Sequence, residues 1–113
     1  MHEMAIAESM LEIVEATARS NAAARVSAIW LELGVLSHVE PHALVFCFDA
    51  VARGSLAEGA RLEIVPLQGE AWCMPCGERV EVQRRGDPCP RCGSHQLAVV
   101  RGDEMRVKEI AIA

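Results

Sequence analysis

Apolar residues recur every three or four positions over residues 3–20, a spacing that places them on one face of an α-helix. This face consists of Met4, Ala7, Met10, Leu11, Val14 and Ala18. Charged residues occupy the opposite side, and the first turn is acidic, which suits the positive end of a helix dipole. The pattern therefore predicts an amphipathic first helix.

Residues 43–53 repeat the helical period between Pro41, which suits the first position of a helix, and Gly54, which suits its end. The pattern predicts that four side chains of this second helix are buried, namely Leu44, Val45, Phe48 and Val51. Cys47 lies in the same apolar run, and we expect it to be a small buried core residue.

Three further segments, residues 25–33, 61–67 and 104–112, contain alternating or β-branched apolar residues and predict strands. Along the chain the order is helix, strand, helix, strand and, after an interruption, a closing strand. The interruption, residues 70–103, contains four of the five cysteines. We expect the closing strand to rejoin the sheet of the preceding unit.

The four cysteines form two Cys-X-X-Cys pairs, Cys73 with Cys76 and Cys89 with Cys92. Each pair lets two thiolates of one tight turn reach the same ion, and two pairs complete the tetrahedral four-sulfur shell of structural zinc sites. A glycine follows each pair and suits the positive φ that returns the chain beneath the metal. Matched pairs disfavour redox dithiols or disulfides, and rubredoxin-like iron is the alternative to Zn(II).

The cysteine-rich segment is too short to fold on an apolar core alone, because modules below about 40 residues usually need a metal or disulfides. Zinc would therefore contribute to its folding free energy. We expect an α+β protein in which two helices lie on a three-stranded mixed sheet, with an inserted zinc-ribbon-like module. A small hairpin is expected between the two cysteine pairs. The predicted domains are residues 1–69 with 104–113, and residues 70–103.

Charge and composition narrow the class of protein. The 113 residues carry a formal net charge of −5, and acidic residues are interspersed among the arginines of the cysteine-rich segment. A nucleic-acid module would carry a basic stripe, which the sequence lacks. No uncharged stretch approaches the roughly 18 residues of a membrane span, and no secretion signal opens the chain. We therefore expect a protein that binds neither nucleic acid nor membrane. We also expect it in the cytoplasm, because metal-bound cysteines suit a reducing compartment.

The first three residues, Met1-His2-Glu3, offer an unusual set of nitrogen atoms. The His2 imidazole, the His2 amide and the terminal amine of Met1 lie within one short segment, and the Glu3 amide is next in line. Nitrogen ligands in a square-planar or tetragonal shell suit nickel(II) or copper(II) better than zinc or magnesium. A histidine at position two can equally be without function, so the residues alone leave a metal site there open.

The start motif, the helix after it, the two Cys-X-X-Cys pairs and the Gly-Asp-Glu-Met-Arg segment at 102–106 together resemble the hydrogenase nickel-incorporation (maturation) proteins of the HypA/HybF family. The resemblance extends over essentially the whole chain. It implies a nickel metallochaperone that binds Ni(II) at its N-terminus and holds Zn(II) structurally in its other domain. Such a protein delivers nickel during maturation of nickel-iron hydrogenase and, in some organisms, of urease.

The resemblance also implies the nickel ligands. Met1 would supply the terminal amine, His2 would supply imidazole and amide nitrogens, and Glu3 would supply an amide nitrogen, with ligation by its carboxylate left open. The family has an acidic residue in the loop before the second helix, and Glu40 occupies that place. Some relatives have the shorter aspartate there, so direct ligation by Glu40 is left open.

Three other histidines are candidates for metal chemistry. His38 and His42 flank Glu40, and each is expected to be a solvated side chain rather than a nickel ligand or transfer relay. His95 follows the second cysteine pair and is expected in a solvated turn, although it could hydrogen-bond a thiolate.

The implied partners are a nickel-handling GTPase and the hydrogenase large subunit. The chain itself has no phosphate-binding GxxxxGK loop and no paired nucleophile and base, so we expect no catalytic activity. Monomer and homodimer both stay open. The alternative, from a different class, is a zinc-ribbon adaptor that binds nucleic acid or a protein assembly.

Overall fold

The computed structural model of the chain describes residues 2–113, with side chains from Glu3 onward. Within these residues the chain forms two helices and six strands. In order they are α1 (His2–Ser20), β1 (Val26–Gly34), α2 (Pro41–Ala52), β2 (Arg61–Leu67), β3 (Gly69–Cys73), β4 (Glu78–Val82), β5 (Leu97–Arg101) and β6 (Met105–Ile112). Both predicted helices and all three predicted strands are present, with ends within about two residues of those expected.

The strands form two three-stranded sheets. One has the order β2-β1-β6 and the other the order β4-β3-β5. In the second sheet β3 pairs antiparallel with both neighbours, and the ladder with β5 has an irregularity between Glu70 and Ala71. The predicted α+β class, with two helices and mixed and antiparallel sheets, is confirmed.

The first compact unit comprises the chain up to Leu31, Val39–Ile64 and Val107–Ala113. Its core joins buried side chains of α1, β1 and α2: Ala7, Met10, Val14, Ala18, Val26, Ile29, Leu31, Leu44, Cys47, Phe48 and Ala52. Cys47 is buried, as predicted. This unit therefore has an apolar core that contains no metal ligand of the cysteine pairs.

The predicted burial of Val45 is wrong, because its side chain is 38% exposed and that of the neighbouring Phe46 is 75% exposed. Leu44, Cys47 and Phe48 occupy positions i, i+3 and i+4 and face the core. Six consecutive apolar residues fill this part of α2, so the period could not distinguish the inner face from the outer one.

The second compact unit comprises Glu32–His38 and Val65–Arg106. Its core consists of Leu36, Ala71, Cys73, Val80, Val82 and Cys89. Leu36 comes from the loop after β1, outside the segment predicted as the zinc module. These units are defined by packing. The predicted division into 1–69 with 104–113, and 70–103, concerns which segment handles which metal and stays a prediction.

Two glycines allow the backbones of the second unit to approach closely. A Cβ atom at Gly34 would overlap the carbonyl oxygen of Gly102, and Gly102 itself has a φ of +102°. The Gly34 amide donates to the Glu104 carbonyl oxygen at 2.8 Å, and the Leu36 amide donates to the Gly102 carbonyl oxygen at 2.7 Å. These contacts hold the loop that carries Leu36 within the second unit.

Candidate metal centres

The four paired cysteines lie on two turns of the same kind. Cys73 ends β3, and the chain reverses before β4, with Gly77 at a φ of +64° and its amide donating to the Cys73 carbonyl oxygen at 2.8 Å. In the second turn Gly93 has a φ of +77°, and its amide donates to the Cys89 carbonyl oxygen at 2.9 Å. Both glycines adopt the positive φ that the sequence predicts for them.

The expected hairpin between the two cysteine pairs is wrong. The segment from Cys76 to Cys89 contains one strand, β4, followed by a loop. The hairpin instead consists of β3 and β4, which pair antiparallel on either side of the first cysteine turn. That turn itself reverses the chain, so the strands flank it instead of following it.

The four sulfur atoms converge on one point. All four lie within 4.8 Å of one another, with Cys73 Sγ 3.6 Å from Cys92 Sγ and Cys76 Sγ 3.9 Å from Cys89 Sγ. A tetrahedral zinc ion with Zn–S bonds of about 2.3 Å sets its sulfurs about 3.8 Å apart. A disulfide would need about 2.05 Å, so these cysteines are free thiols. The cluster fits a zinc site.

The sulfur atoms differ in their electrostatic surroundings. The amides of Cys92 and Arg91 lower the pKa of Cys89 to about 7, and the Arg91 amide lies 3.4 Å from its sulfur. Hydrogen bonds with Cys92 and Cys73 raise the pKa of Cys76 to about 12, and burial raises the pKa of Cys73. Four adjacent thiolates repel one another, so a divalent cation is required to hold them all in the charged form.

The shell is closed by protein atoms. Cys73 and Cys89 are buried, Cys76 is half-buried and only Cys92 is exposed. Four thiolates would fill all four tetrahedral positions of a bound zinc ion and would leave none open for water or substrate, which is the arrangement of structural rather than catalytic zinc.

The predicted nickel ligands fall partly outside the described residues, which exclude Met1 and the side chain of His2. Glu3 is half-buried in the first turn of α1, and its Oε2 accepts a hydrogen bond from the Glu40 amide at 3.1 Å. The fold therefore brings together two residues predicted at the same site from positions far apart in the sequence. Which atoms bind nickel stays a prediction.

Glu40 has a structural role that the sequence analysis missed. It is the N-cap of α2, and its two carboxylate oxygens accept hydrogen bonds from the His42 amide at 2.9 Å and the Ala43 amide at 3.3 Å. Side chains with an oxygen acceptor, such as aspartate, asparagine and serine, are preferred at this position because they satisfy amides that have no partner within the helix, and the Glu40 carboxylate does the same. An acidic residue directly before Pro41, the first helical residue, is the signal that could have revealed it.

The histidines near Glu40 do not complete a metal shell. The His42 ring is 97% exposed, and its Nδ1 lies 3.8 Å from Glu40 Oε2. His38 and His95 are exposed as well. Among the residues that the structure describes, the four cysteines alone form a group of three or more potential ligands within reach of one ion.

None of the described helices is both long enough and apolar enough to span a membrane.

A two-helix α+β unit and a four-thiolate unit in one short chain define a class of small metal-binding proteins with a site suited to structural zinc. The profile of the HypA family, described as hydrogenase/urease nickel incorporation and metallochaperone, matches residues 1–112. The chain therefore belongs to the HypA family of nickel metallochaperones, which act in hydrogenase maturation. The predicted family is confirmed, with nickel as the metal it handles.

Similar proteins match the chain over nearly its whole length. The hydrogenase maturation factor HypA of Rhodopseudomonas palustris strain BisB5 is 56% identical over 112 residues, 99% of each chain. That of Azotobacter vinelandii is 55% identical over 112 residues, again 99% of each. The solution structure of the Ni metallochaperone HypA from Helicobacter pylori has a TM-score of 0.70 at 24% identity and covers 99% of this chain and 97% of its own. That likeness shows the fold.

Proposed function

We propose that this chain binds Ni(II) at its N-terminal end, through atoms of Met1, His2 and Glu3 beside Glu40, and releases it to a partner during maturation of nickel-iron hydrogenase. The observation that carries this assignment is the hydrogen bond between the Glu3 carboxylate and the Glu40 amide. It joins the start of α1 to the loop before α2, the two places where the family resemblance puts nickel ligands.

Exposure supports release as well as binding. The Glu40 carboxylate is 58% exposed and the ring of His42 is more exposed still, so an incoming ligand from another protein can approach this end of the unit. Nitrogen ligands from the first residues form a tetragonal shell suited to nickel(II). Their binding depends on deprotonation, so the affinity falls as pH falls. Transfer is then an exchange of ligands and requires no bond-making catalysis by this chain.

The four cysteines serve a different purpose in this proposal. Cys73, Cys76, Cys89 and Cys92 hold Zn(II) permanently and stabilise the second unit. Its buried apolar residues are few and small apart from Leu36, and a bound metal supplies the stability that such a core lacks.

The nucleic-acid adaptor is disfavoured by the ion pairs of the second unit. Four of its arginines pair with acidic side chains: Arg79 with Glu70 at 3.5 Å, Arg91 with Glu78 at 2.9 Å, Arg85 with Asp103 at 3.6 Å, and Arg106 with Glu32. Arginines neutralised in this way release few counterions from a phosphate backbone. The unit has no basic stripe that could bind a phosphate backbone.

The partners in this proposal are a nickel-handling GTPase and the hydrogenase large subunit, with urease maturation as a further destination. The GTPase supplies nucleotide hydrolysis, because the chain has no phosphate-binding loop. The setting is the cytoplasm, where a reducing environment keeps the four thiols available for zinc.

Nickel titration of the untagged protein by calorimetry tests the assignment. His2→Ala is expected to abolish stoichiometric nickel binding while the zinc content and the circular dichroism spectrum stay unchanged. A version extended by two residues before Met1 loses the free amine at that position and is expected to bind nickel more weakly. Unchanged nickel affinity in His2→Ala would refute the N-terminal site.

A further inference from the structure

Glu3 of α1 supplies an acceptor for the N-cap amide of a different helix. Its Oε2 lies 3.1 Å from the Glu40 nitrogen, across a separation of 37 residues. In a capping box, the side chain at the third helical position accepts the hydrogen bond from the N-cap amide. In α2 that position is Ala43, whose methyl group cannot accept one. Glu3 therefore fills the place of the missing capping-box residue.

The Glu40 carboxylate completes the same arrangement from the other side. It accepts hydrogen bonds from His42 and Ala43, while Pro41 has no N–H to satisfy. Two carboxylates thus bind the amides at the beginning of α2, where the positive end of the helix dipole favours both negative charges. The first turn of α1 and the N-cap of α2 form one hydrogen-bonded assembly.

We propose that Glu3 is a positioning residue for nickel binding: its carboxylate anchors the first turn of α1 on the α2 N-cap, and other atoms of the segment bind the metal. This proposal rests on the proposed function, because it states how the nickel-binding segment is held. A carboxylate lone pair that bound nickel could not also accept the hydrogen bond from the Glu40 amide, so for that lone pair anchoring and ligation are alternatives.

Two substitutions at position 3 separate an anchor from a ligand. Glu3→Gln keeps a side-chain oxygen that can accept the hydrogen bond, whereas Glu3→Ala removes it. Charged hydrogen bonds contribute about 1.5 kcal/mol or more, so Glu3→Ala is expected to weaken nickel binding about tenfold. Glu3→Gln is expected to stay within about threefold of the wild type, because a neutral acceptor retains about half of the energy of a charged hydrogen bond. Its nickel absorption spectrum should match that of the wild type.

A nickel-free measurement tests the anchor by itself. Hydrogen exchange of the Glu40 amide, followed by NMR in the zinc-loaded protein, is expected to accelerate in Glu3→Ala and to stay slow in Glu3→Gln. Glu8→Gln is the matched control: Glu8 is exposed on the same helix, and its substitution removes the same charge. It should change neither the exchange rate nor nickel binding.

Each other outcome has a distinct meaning. If both variants lose nickel binding equally while Glu3→Gln retains slow exchange at Glu40, the carboxylate is a ligand and the proposal is overturned. It is equally overturned if Glu3→Ala binds nickel as the wild type does. Failure of the wild type itself to bind nickel would instead overturn the proposed function, and the exchange rates would still decide whether Glu3 is an anchor.

Discussion

The cysteine cluster and the N-terminal end of α1 present their polar atoms in opposite ways. In the cluster four sulfur atoms converge, and two of the four cysteines are buried. At the N-terminal end the described carboxylates of Glu3 and Glu40 bind main-chain amides, and Glu40 is mostly exposed. A closed thiolate shell retains its ion, whereas ligands that reach solvent permit exchange. This contrast supports the proposal that the cluster holds a permanent metal and the N-terminal end a delivered one.

The two units also differ in how their cores are built. The first unit buries Met10, Ile29, Leu31 and Phe48 together and contains no ligand of the cysteine cluster in its core. In the second unit, two of the six buried core residues, Cys73 and Cys89, belong to the cluster. Removing a metal ligand should consequently affect the second unit much more than the first.

Cys73→Ser should have the largest effect, because zinc binding contributes on the order of 10 kcal/mol to the folding of small zinc modules. We expect loss of zinc and collapse of the NMR dispersion of Val80 and Val82, while Met10 and Phe48 keep native shifts. Metal analysis and a two-dimensional NMR spectrum measure both effects.

Cys47→Ala is the matched control for that experiment. Cys47 is a buried cysteine of the first unit and lies outside the cluster. Its substitution should leave zinc content unchanged and cost only part of the stability of the first unit. A zinc-free Cys73→Ser protein with an intact second unit would contradict the contrast between the two cores.

Leu36→Ala should have the next largest effect. Leu36 is the largest apolar side chain in the core of the second unit, and its truncation should cost about 2 to 5 kcal/mol of unfolding free energy. We expect faster loss of zinc to a chelator, because local opening exposes the thiolates. Val35→Ala is the control, since Val35 is adjacent and 40% exposed. Equal zinc loss in the two variants would show that Leu36 does not stabilise the cluster.

The cysteine cluster was predictable because residues close together in the sequence determine each of its two turns. Two Cys-X-X-Cys turns and the glycine after each dictate a backbone that brings two sulfurs together, and the two turns then share one ion. The long helix α1 and the strand β2 were predictable for a similar reason, since each has one clear period.

Other features depend on contacts between distant parts of the chain. The short strands β3 and β5 have too few residues for a reliable period, and Leu36 joins the second core only because Gly34 and Gly102 permit a close backbone approach. The hydrogen bond that the Glu40 amide donates to the Glu3 carboxylate is likewise tertiary. No local pattern assigns an acidic side chain on one helix to the N-cap amide of another.

Glu104→Gln should have the smallest effect on stability. Glu104 lies in the second unit but away from the cysteines. Hydrogen bonds from its own amide and from the Gly102 amide, the latter at 2.7 Å, hold the pKa of this carboxyl below its ordinary value of 4.5. A carboxyl whose pKa is lower in the folded state than in the unfolded state stabilises the protein at pH values above its unfolded-state pKa. This stabilisation is lost as the pH falls through the folded-state pKa. The urea midpoint of the wild type should exceed that of Glu104→Gln at pH 6, and the difference should shrink as the pH drops below 4.5. Acid also protonates zinc thiolates, but it does so in both proteins, so the difference isolates Glu104. A difference independent of pH would show that the carboxylate charge does not stabilise this turn.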